Sequence, residues 1–430
     1  MDKLYILPEQ INIDKSIKSK IVKDYKNFAE EGIPADVEKY ILEEYSMDIS
    51  SRYGEKNIKN PFGIASGQLT TNYSQIESSI NEGIGFAVLK TVISQDGKGK
   101  ATMDEWRVNA PKMLVEKIQS KQGEWGYTVT WKGRGWHKSF QDYLDFMEKS
   151  LTLSKERGVP VIPSCKFNLP AKLEEAFNIE EYKYTLENLL KSWQKIYGKE
   201  PMYLEKDFSP TLAGSDLSKN QMSILRWINE VPKIIKEIIG EENIYLGLKL
   251  MNTTFSQDFQ RELLNSTLGN NHTKADYLIC FNRLFDKDKV FEGKQGVAYG
   301  GYDLSHRNLK ILTEFRKDEK QQHKEPRLMP ISATGNIESG KMMVEYALRG
   351  CENGQIHTFF QIPSSEYAMK NGGRVSKALH ELIFNPEKGL LSAMMYLNEK
   401  GLIEKNNGVL RFKDITTAYG REEIFGRVDL

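Results

Sequence analysis

The chain is predicted to be an α/β protein, a (β/α)8 TIM barrel, and three observations carry the prediction. Eight apolar runs, at 60–67, 85–92, 159–165, 202–209, 244–251, 276–282, 328–334 and 354–360, are strand candidates. Segments of helical periodicity at 72–82, 140–157, 178–197, 219–239, 256–265, 305–316 and 338–349 lie between most of them. Alternation of this kind implies parallel strands, and eight units over about 300 residues is the barrel count. Third, the last two units carry a characteristic ending. An apolar run closes in Thr334-Gly335-Asn336, an amphipathic helix follows, and a second run closes in His357-Thr358. Barrels commonly seat a phosphate on the loops after strands 7 and 8, where a glycine lets backbone N–H groups approach the anion.

In chain order, residues 1–58 read as a helical N-terminal extension, with Ile17, Ile21, Val22 and Tyr25 and then Val37, Ile41, Leu42 and Tyr45 at helical spacing. It leads into a short hairpin around 49–58. The barrel occupies 59–387, its last helix near 374–384, and 388–430 form a C-terminal extension that serves packing or dimerisation. Two connections exceed simple turns. One runs from Ser94 to about Ser139, after strand 2, and holds Trp106, Trp125, Tyr127, Trp131 and Trp136; the other runs from Leu284 to Tyr302, after strand 6. Long ordered loops at the C-terminal face are where barrels build lids and pockets. The tryptophans serve either as a local mini-core or as substrate contacts.

Composition narrows the function. Sixty Lys and Arg against 59 Asp and Glu leave a net charge of +1, which gives no electrostatic reason for nucleic acid or an anionic membrane. No apolar run is long enough to span a bilayer, the N-terminus lacks a signal-peptide layout, and a cytoplasmic protein is expected. Cys165, Cys280 and Cys351 read as buried, reduced thiols. Neither a Cys-x-x-Cys pair nor a histidine cluster points to a metal, and no Gly-x-Gly-x-x-Gly points to a dinucleotide.

The strand ends are polar: Ser66-Gly67, Lys90-Thr91, Lys166 and Asn168, Lys206-Asp207 and Ser209, Lys249 and Asn252, Asn282-Arg283, Thr334-Gly335-Asn336, and His357-Thr358. A lysine inside an apolar strand is costly unless its charge is paired. Lys90 and Lys249 therefore need anionic or electron-rich partners at the barrel mouth. With a phosphate-type loop opposite, a bound anionic cofactor explains both together, and a structural ion pair is the alternative for each singly.

These same residues carry a family likeness. The stretches 60–67 and 83–91 closely resemble the opening of the dihydroorotate dehydrogenase family, nearest to the FMN domain of dihydropyrimidine dehydrogenases. The likeness resumes at 205–214, 247–250, 275–283, 300–305, 330–337 and 350–358, so it covers most of 48–361 in order. The resemblance implies an FMN-dependent oxidoreductase that transfers hydride to or from a C–C bond next to a carbonyl. It implies that Ala65, Ser66 and Gly67 lie along the flavin, with Lys90 and Thr91 near its ring. Lys249 would face the N1/C2 edge, where a positive charge stabilises the anionic reduced flavin. Asn282 would sit by ring and substrate, while Gly300, Gly301, Thr334, Gly335, Asn336, His357 and Thr358 would cradle the ribityl phosphate.

The departures from the family concern the substrate. Its substrate loop, which reads like Asn-Leu-Ser-Cys-Pro-Asn, is matched here by Lys206-Asp207-Phe208-Ser209-Pro210-Thr211. Ser209 takes the acid/base position, and Lys206 and Thr211 replace the pyrimidine-binding asparagines. Serine needs an activator for that role, and Lys206, Asp207 and His137 are the candidates. Arg283, Trp131 and Arg134 complete the expected substrate side, whose cations suggest a non-pyrimidine, anionic substrate. Without iron–sulfur or nicotinamide motifs, electrons would pass to a separate donor or acceptor. A divergent dihydroorotate or dihydropyrimidine dehydrogenase and a non-catalytic barrel subunit are the competing readings, and a homodimer is a possible assembly.

Overall fold

Buried runs rich in β-branched and aromatic residues form the strands that the alternation predicts. The computed structural model describes residues 4–104, 107, 112–119, 125–132, 135–208, 221–253, 255–268, 274–291, 294–299, 304–322 and 329–420. Ten strands make one parallel sheet. They are β4 (Phe62–Ile64), β5 (Phe86–Val88), β6 (Val92–Ile93), β9 (Val161–Ile162), β10 (Ser164–Lys166), β11 (Met202–Asp207), β12 (Ile244–Lys249), β13 (Tyr277–Cys280), β16 (Ile331–Thr334) and β17 (Cys351–Ile356). Their order is β6-β10-β11-β12-β13-β16-β17-β4-β5-β9. At one end Cys165 pairs with Val92, and at the other Val88 pairs with Ile162. Nearly every residue of these strands is buried, as parallel strands covered on both faces require.

The crossover helices fall close to the expected segments. They are α3 (Tyr73–Asn81), α4 (Phe140–Arg157), α5 (Ile179–Tyr197), α6 (Gln221–Ile239), α7 (Gln257–Asn265), α8 (Leu304–Gln322) and α9 (Gly340–Ala347). Helix α4 has the clearest local code. Ser139 and Asp142 form a reciprocal capping box, and Gly158 ends the helix in the left-handed region at φ 65°. One boundary differs from expectation. The last strand begins at Cys351, not near residue 354, and 358–361 form a 3-10 turn, because the run 351–356 pairs with β16 and β4 before the chain bends at His357.

The two long connections are not irregular loops: both contain antiparallel hairpins. One joins β7 (Lys112–Gln119) to β8 (Trp125–Lys132), the other β14 (Leu284–Phe291) to β15 (Lys294–Tyr299). β-Branched and aromatic residues such as Val115, Tyr127, Val129 and Thr130 supply the strand chemistry that a reading focused on tryptophans passes over. Trp136 stacks on Phe146 of α4 with ring centroids 5.3 Å apart, so this tryptophan packs in the main core and not in a mini-core of the loop. Trp106 lies outside the described residues.

At the N-terminal end of the sheet, the hairpin of β2 (Ser51–Tyr53) and β3 (Lys56–Ile58) inserts Tyr53 among Phe86, Tyr203 and Tyr277. The rings of Phe86 and Tyr277 lie against Gly63 and Gly247, where a Cβ would overlap them. The two extensions meet. β1 (Met47–Asp48) pairs in parallel with β18 (Leu410–Arg411). Helix α1 (Lys15–Glu31) packs on α10 (Arg374–Phe384), where Tyr25 Oη donates to Glu381 at 2.8 Å. The chain before α1 is strapped to α9: Leu7 N donates to Glu345 at 2.7 Å, and Arg349 donates to Leu4 O at 2.6 Å. Arg349 also pairs with Glu345 at 2.8 Å, both side chains fully buried. The N-terminal extension thus packs on the sheet's own helices. No helix among the described residues is long and apolar enough to cross a membrane.

Candidate functional site

The C-terminal ends of the strands surround a cavity of about 330 Å³. Ala65 and Ser66 follow β4, Lys249 ends β12, and Asn282 and Arg283 follow β13; all five line it. Thr334, Gly335 and Asn336 after β16, with His357 and Thr358 after β17, line the opposite wall. The structure therefore brings these predicted residues to one place, although they are spread over nearly 300 positions of sequence.

Local chemistry explains the loop after β16. Gly335 has φ 108° and Asn336 φ 57°, so two successive residues take the left-handed region. A Cβ on Gly335 would also meet Phe281 O at 2.6 Å. Tyr346 Oη donates to Gly335 O at 2.6 Å, and Asn308 Nδ2 donates to Thr334 O at 3.1 Å and Phe281 O at 2.9 Å. Asn336 Nδ2 donates to Ser305 Oγ at 3.1 Å. On the same wall, an edge of the His357 ring lies against Gly67, where an added Cβ would collide with it. Gly67 and the His357 ring are complementary in shape.

Beneath this wall a hydroxyl chain ties adjacent strands. Ser66 Oγ and Thr91 Oγ1 are 2.9 Å apart, Thr91 Oγ1 and Ser164 Oγ are 2.9 Å apart, and Thr91 Oγ1 donates to Asp207 at 3.4 Å. Lys90 is buried beside Asp207, and burial brings its ammonium down to about 8 against the opposing pull of that carboxylate. Arg283 and Lys249 push it in the same direction as burial, so three cations share this region.

His357 feels the same group. Burial, then Arg283, Lys90 and Lys249, bring its imidazole down to about 3 from 6.5. The folded protein keeps this ring neutral while the unfolded chain takes up a proton below pH 6.5, so stability falls as pH drops from 6.5 toward 3. His357→Gln removes this dependence. Unfolding curves across that window should show the wild type losing on the order of a few kcal/mol more than the variant; parallel pH profiles would contradict it.

Lys206 lies elsewhere. Alternation along β11 puts it on the face opposite Glu205 and Asp207, where its ammonium donates to Asp207 O at 3.0 Å and sits 4.0 Å from the Phe208 ring centroid. It does not line the cavity, and neither does His137. Ser209, Thr211, Arg134, Gly300 and Gly301 lie outside the described residues, as does the side chain of Trp131.

Sequence reasoning missed several cavity residues. Gln355 lines it from within β17 and Lys117 reaches it from the β7–β8 hairpin, as do Trp125 and Tyr127, which the sequence offered as substrate contacts or a mini-core. The Tyr127 hydroxyl hydrogen-bonds Glu366, another lining residue. Period-two alternation was the available signal for Glu205 and Asp207, which flank Lys206 and share the face of Lys249. No protein-family model matches the chain, and no curated protein matches it.

The arrangement combines two buried cations in the wall, Lys249 and Arg283, a glycine-bearing turn and an aromatic hairpin, whereas the predicted Lys90, Thr91 and Gly67 lie behind the lining. Its cationic side chains suit an anionic group, and about 330 Å³ lies within the usual range for small-molecule sites.

Proposed function

We propose that the chain is a closed (β/α)8 barrel that binds FMN at its C-terminal face and acts as an oxidoreductase on a C–C bond next to a carbonyl. Barrel closure is supported by the two ends of the sheet order. β5 and β6 are separated by three residues and β9 and β10 by one, and β5 pairs with β9 as β6 pairs with β10. Read as two interrupted strands, these four segments make the strand count eight, and each strand then has a neighbour on both sides.

The observation that carries the FMN reading is the convergence of Lys249, the Gly335 turn and the Gly67–His357 contact on one cavity. The residues present fit the group. The turn at Thr334, Gly335 and Asn336, with His357 and Thr358, would hold the phosphate, and Ala65 and Ser66 would lie along the ring system. FMN, when bound, supplies hydride transfer. Lys249 places a positive charge where electron density accumulates, Asn282 and Arg283 orient an anionic substrate, and the β7–β8 hairpin limits water at the mouth. Ser209, next after Phe208 at the end of β11, is the residue assigned to pass the proton. The physiological partner is a separate electron donor or acceptor, and the protein is assigned to the cytoplasm.

The deciding experiment is an absorption spectrum of the purified protein, with identification of whatever heat releases. A yellow protein that releases FMN is expected. A colourless protein that also takes up no added FMN would end this reading. Gly67→Ala should fold normally yet retain little FMN, because its methyl displaces the His357 ring; an unchanged dissociation constant would count against the placement.

A further inference from the structure

One buried charge below the cavity is not used in the function proposed above. Glu205, in β11, is fully buried, and its carboxyl is pushed above the usual range by that burial, with Lys249 pulling it back down. Two donors converge on its Oε1: Tyr53 Oη and Gln355 Nε2. Its Oε2 has no hydrogen-bond partner among the described residues. A protonated carboxyl would need an acceptor for its own O–H, so two incoming donors and none accepting favour the ionised form. The three neighbours come from different parts of the chain. Gln355 and Lys249 both line the cavity, whereas Tyr53 belongs to the hairpin that fills the opposite end of the sheet. Tyr53 is itself held, with its Oη 3.2 Å from Tyr277 Oη. Asp207, two residues along the same strand and in register with Lys249, is the other carboxylate nearby, and it also pulls on Lys90.

We infer that Glu205 is a positioning residue, the counter-charge that sets the field Lys249 exerts on the cavity, and that the N-terminal hairpin fixes it through Tyr53. It touches neither substrate nor cofactor. It acts through Lys249 by partly cancelling a positive charge, and through Gln355 by orienting an amide on the cavity floor. The hairpin is then more than a plug, since it sets how strongly the site favours added negative charge.

The inference rests on the FMN reading, and its test separates the two. In FMN-loaded protein, Glu205→Gln leaves Lys249 less compensated, so the preference for reduced over oxidised FMN should rise roughly tenfold, as removal of one nearby unit charge implies. Glu205→Asp should recover part of the difference. A Glu205→Gln protein that keeps its colour and shows the wild-type ratio overturns the inference. Infrared titration of the flavin-free protein gives an independent readout. A protonated-carboxyl band absent from Glu205→Gln should appear on acidification, and at higher pH in Tyr53→Phe, because a donor to the carboxylate is gone. The same midpoint in Tyr53→Phe overturns the hairpin's role. A wild type that takes up no FMN ends the parent reading alone, and the infrared titration still decides whether Tyr53 governs Glu205.

Discussion

On the proposed FMN reading, Lys249→Met is expected to lower the midpoint potential of the flavin by roughly 60–85 mV. The lysine ends β12 at the cavity wall and is 2% exposed, so its charge acts through little solvent. Losing one preorganised partner of developing charge costs about 2.7–4 kcal/mol in well-studied sites. For a two-electron couple, 30 mV corresponds to about 1.4 kcal/mol, which gives the range stated. Methionine keeps the length and apolar stem of the side chain, so packing is conserved while the charge goes. Spectroelectrochemical titration of wild type and variant measures the difference directly. Equal potentials would show that the ammonium does not act on the flavin and would leave Lys90 or Arg283 as the source of the field.

Gly340→Ala is expected to destabilise the fold by roughly 3 kcal/mol, the upper end for overpacking. A Cβ at this first residue of α9 would overlap Leu390 N and Leu382 O, both backbone atoms. Side chains can rotate away from a new methyl, but backbone cannot, so α9 must move off α10 and α11 (Leu390–Glu399). The gap reaches the loop after β16, because Ser339 caps α9 a few residues beyond Asn336. Urea unfolding followed by circular dichroism reads the change, and an unaltered midpoint would show that the helices part without cost. By contrast Gly401→Ala, with open space around its Cβ direction but φ 66°, should lose only the smaller cost of the left-handed backbone.

The residues explain which features were legible. Strand and helix positions were, because each has one strong local signal: an unbroken apolar run for buried parallel strands, a 3.6-residue stripe for the helices. Helix α4 was expected at 140–157 and found there, since Ser139 and Gly158 mark its ends chemically. The cavity's walls at Lys249, Gly335 and His357 were legible because a cation or a glycine at a strand end is conspicuous. Glu205 was not, since its meaning depends on which way β11 presents its side chains, and Lys206 beside it drew attention to the wrong face. The hairpins escaped although their pairing is local, because the tryptophans and glycines of these connections drew the reading toward loops and away from strand-forming residues on either side of each turn. So did the pairing of β1 with β18, which joins segments whose sequences carry no mark of each other.

That last pairing bears on the order in which the chain can be assembled. Leu410 N donates to Ser46 O at 2.9 Å, so β1 is completed by a segment more than 350 residues further along the chain. Contacts of such long sequence separation form late, because loop closure must be overcome before they stabilise anything. Until then β1 is a strand edge without its neighbour, and the hairpin carrying Tyr53 hangs from it by a few residues. The arrangement makes this pairing a late event in folding, and a chain cut before residue 410 would lose the β1–β18 tie while α1 still packed on α10.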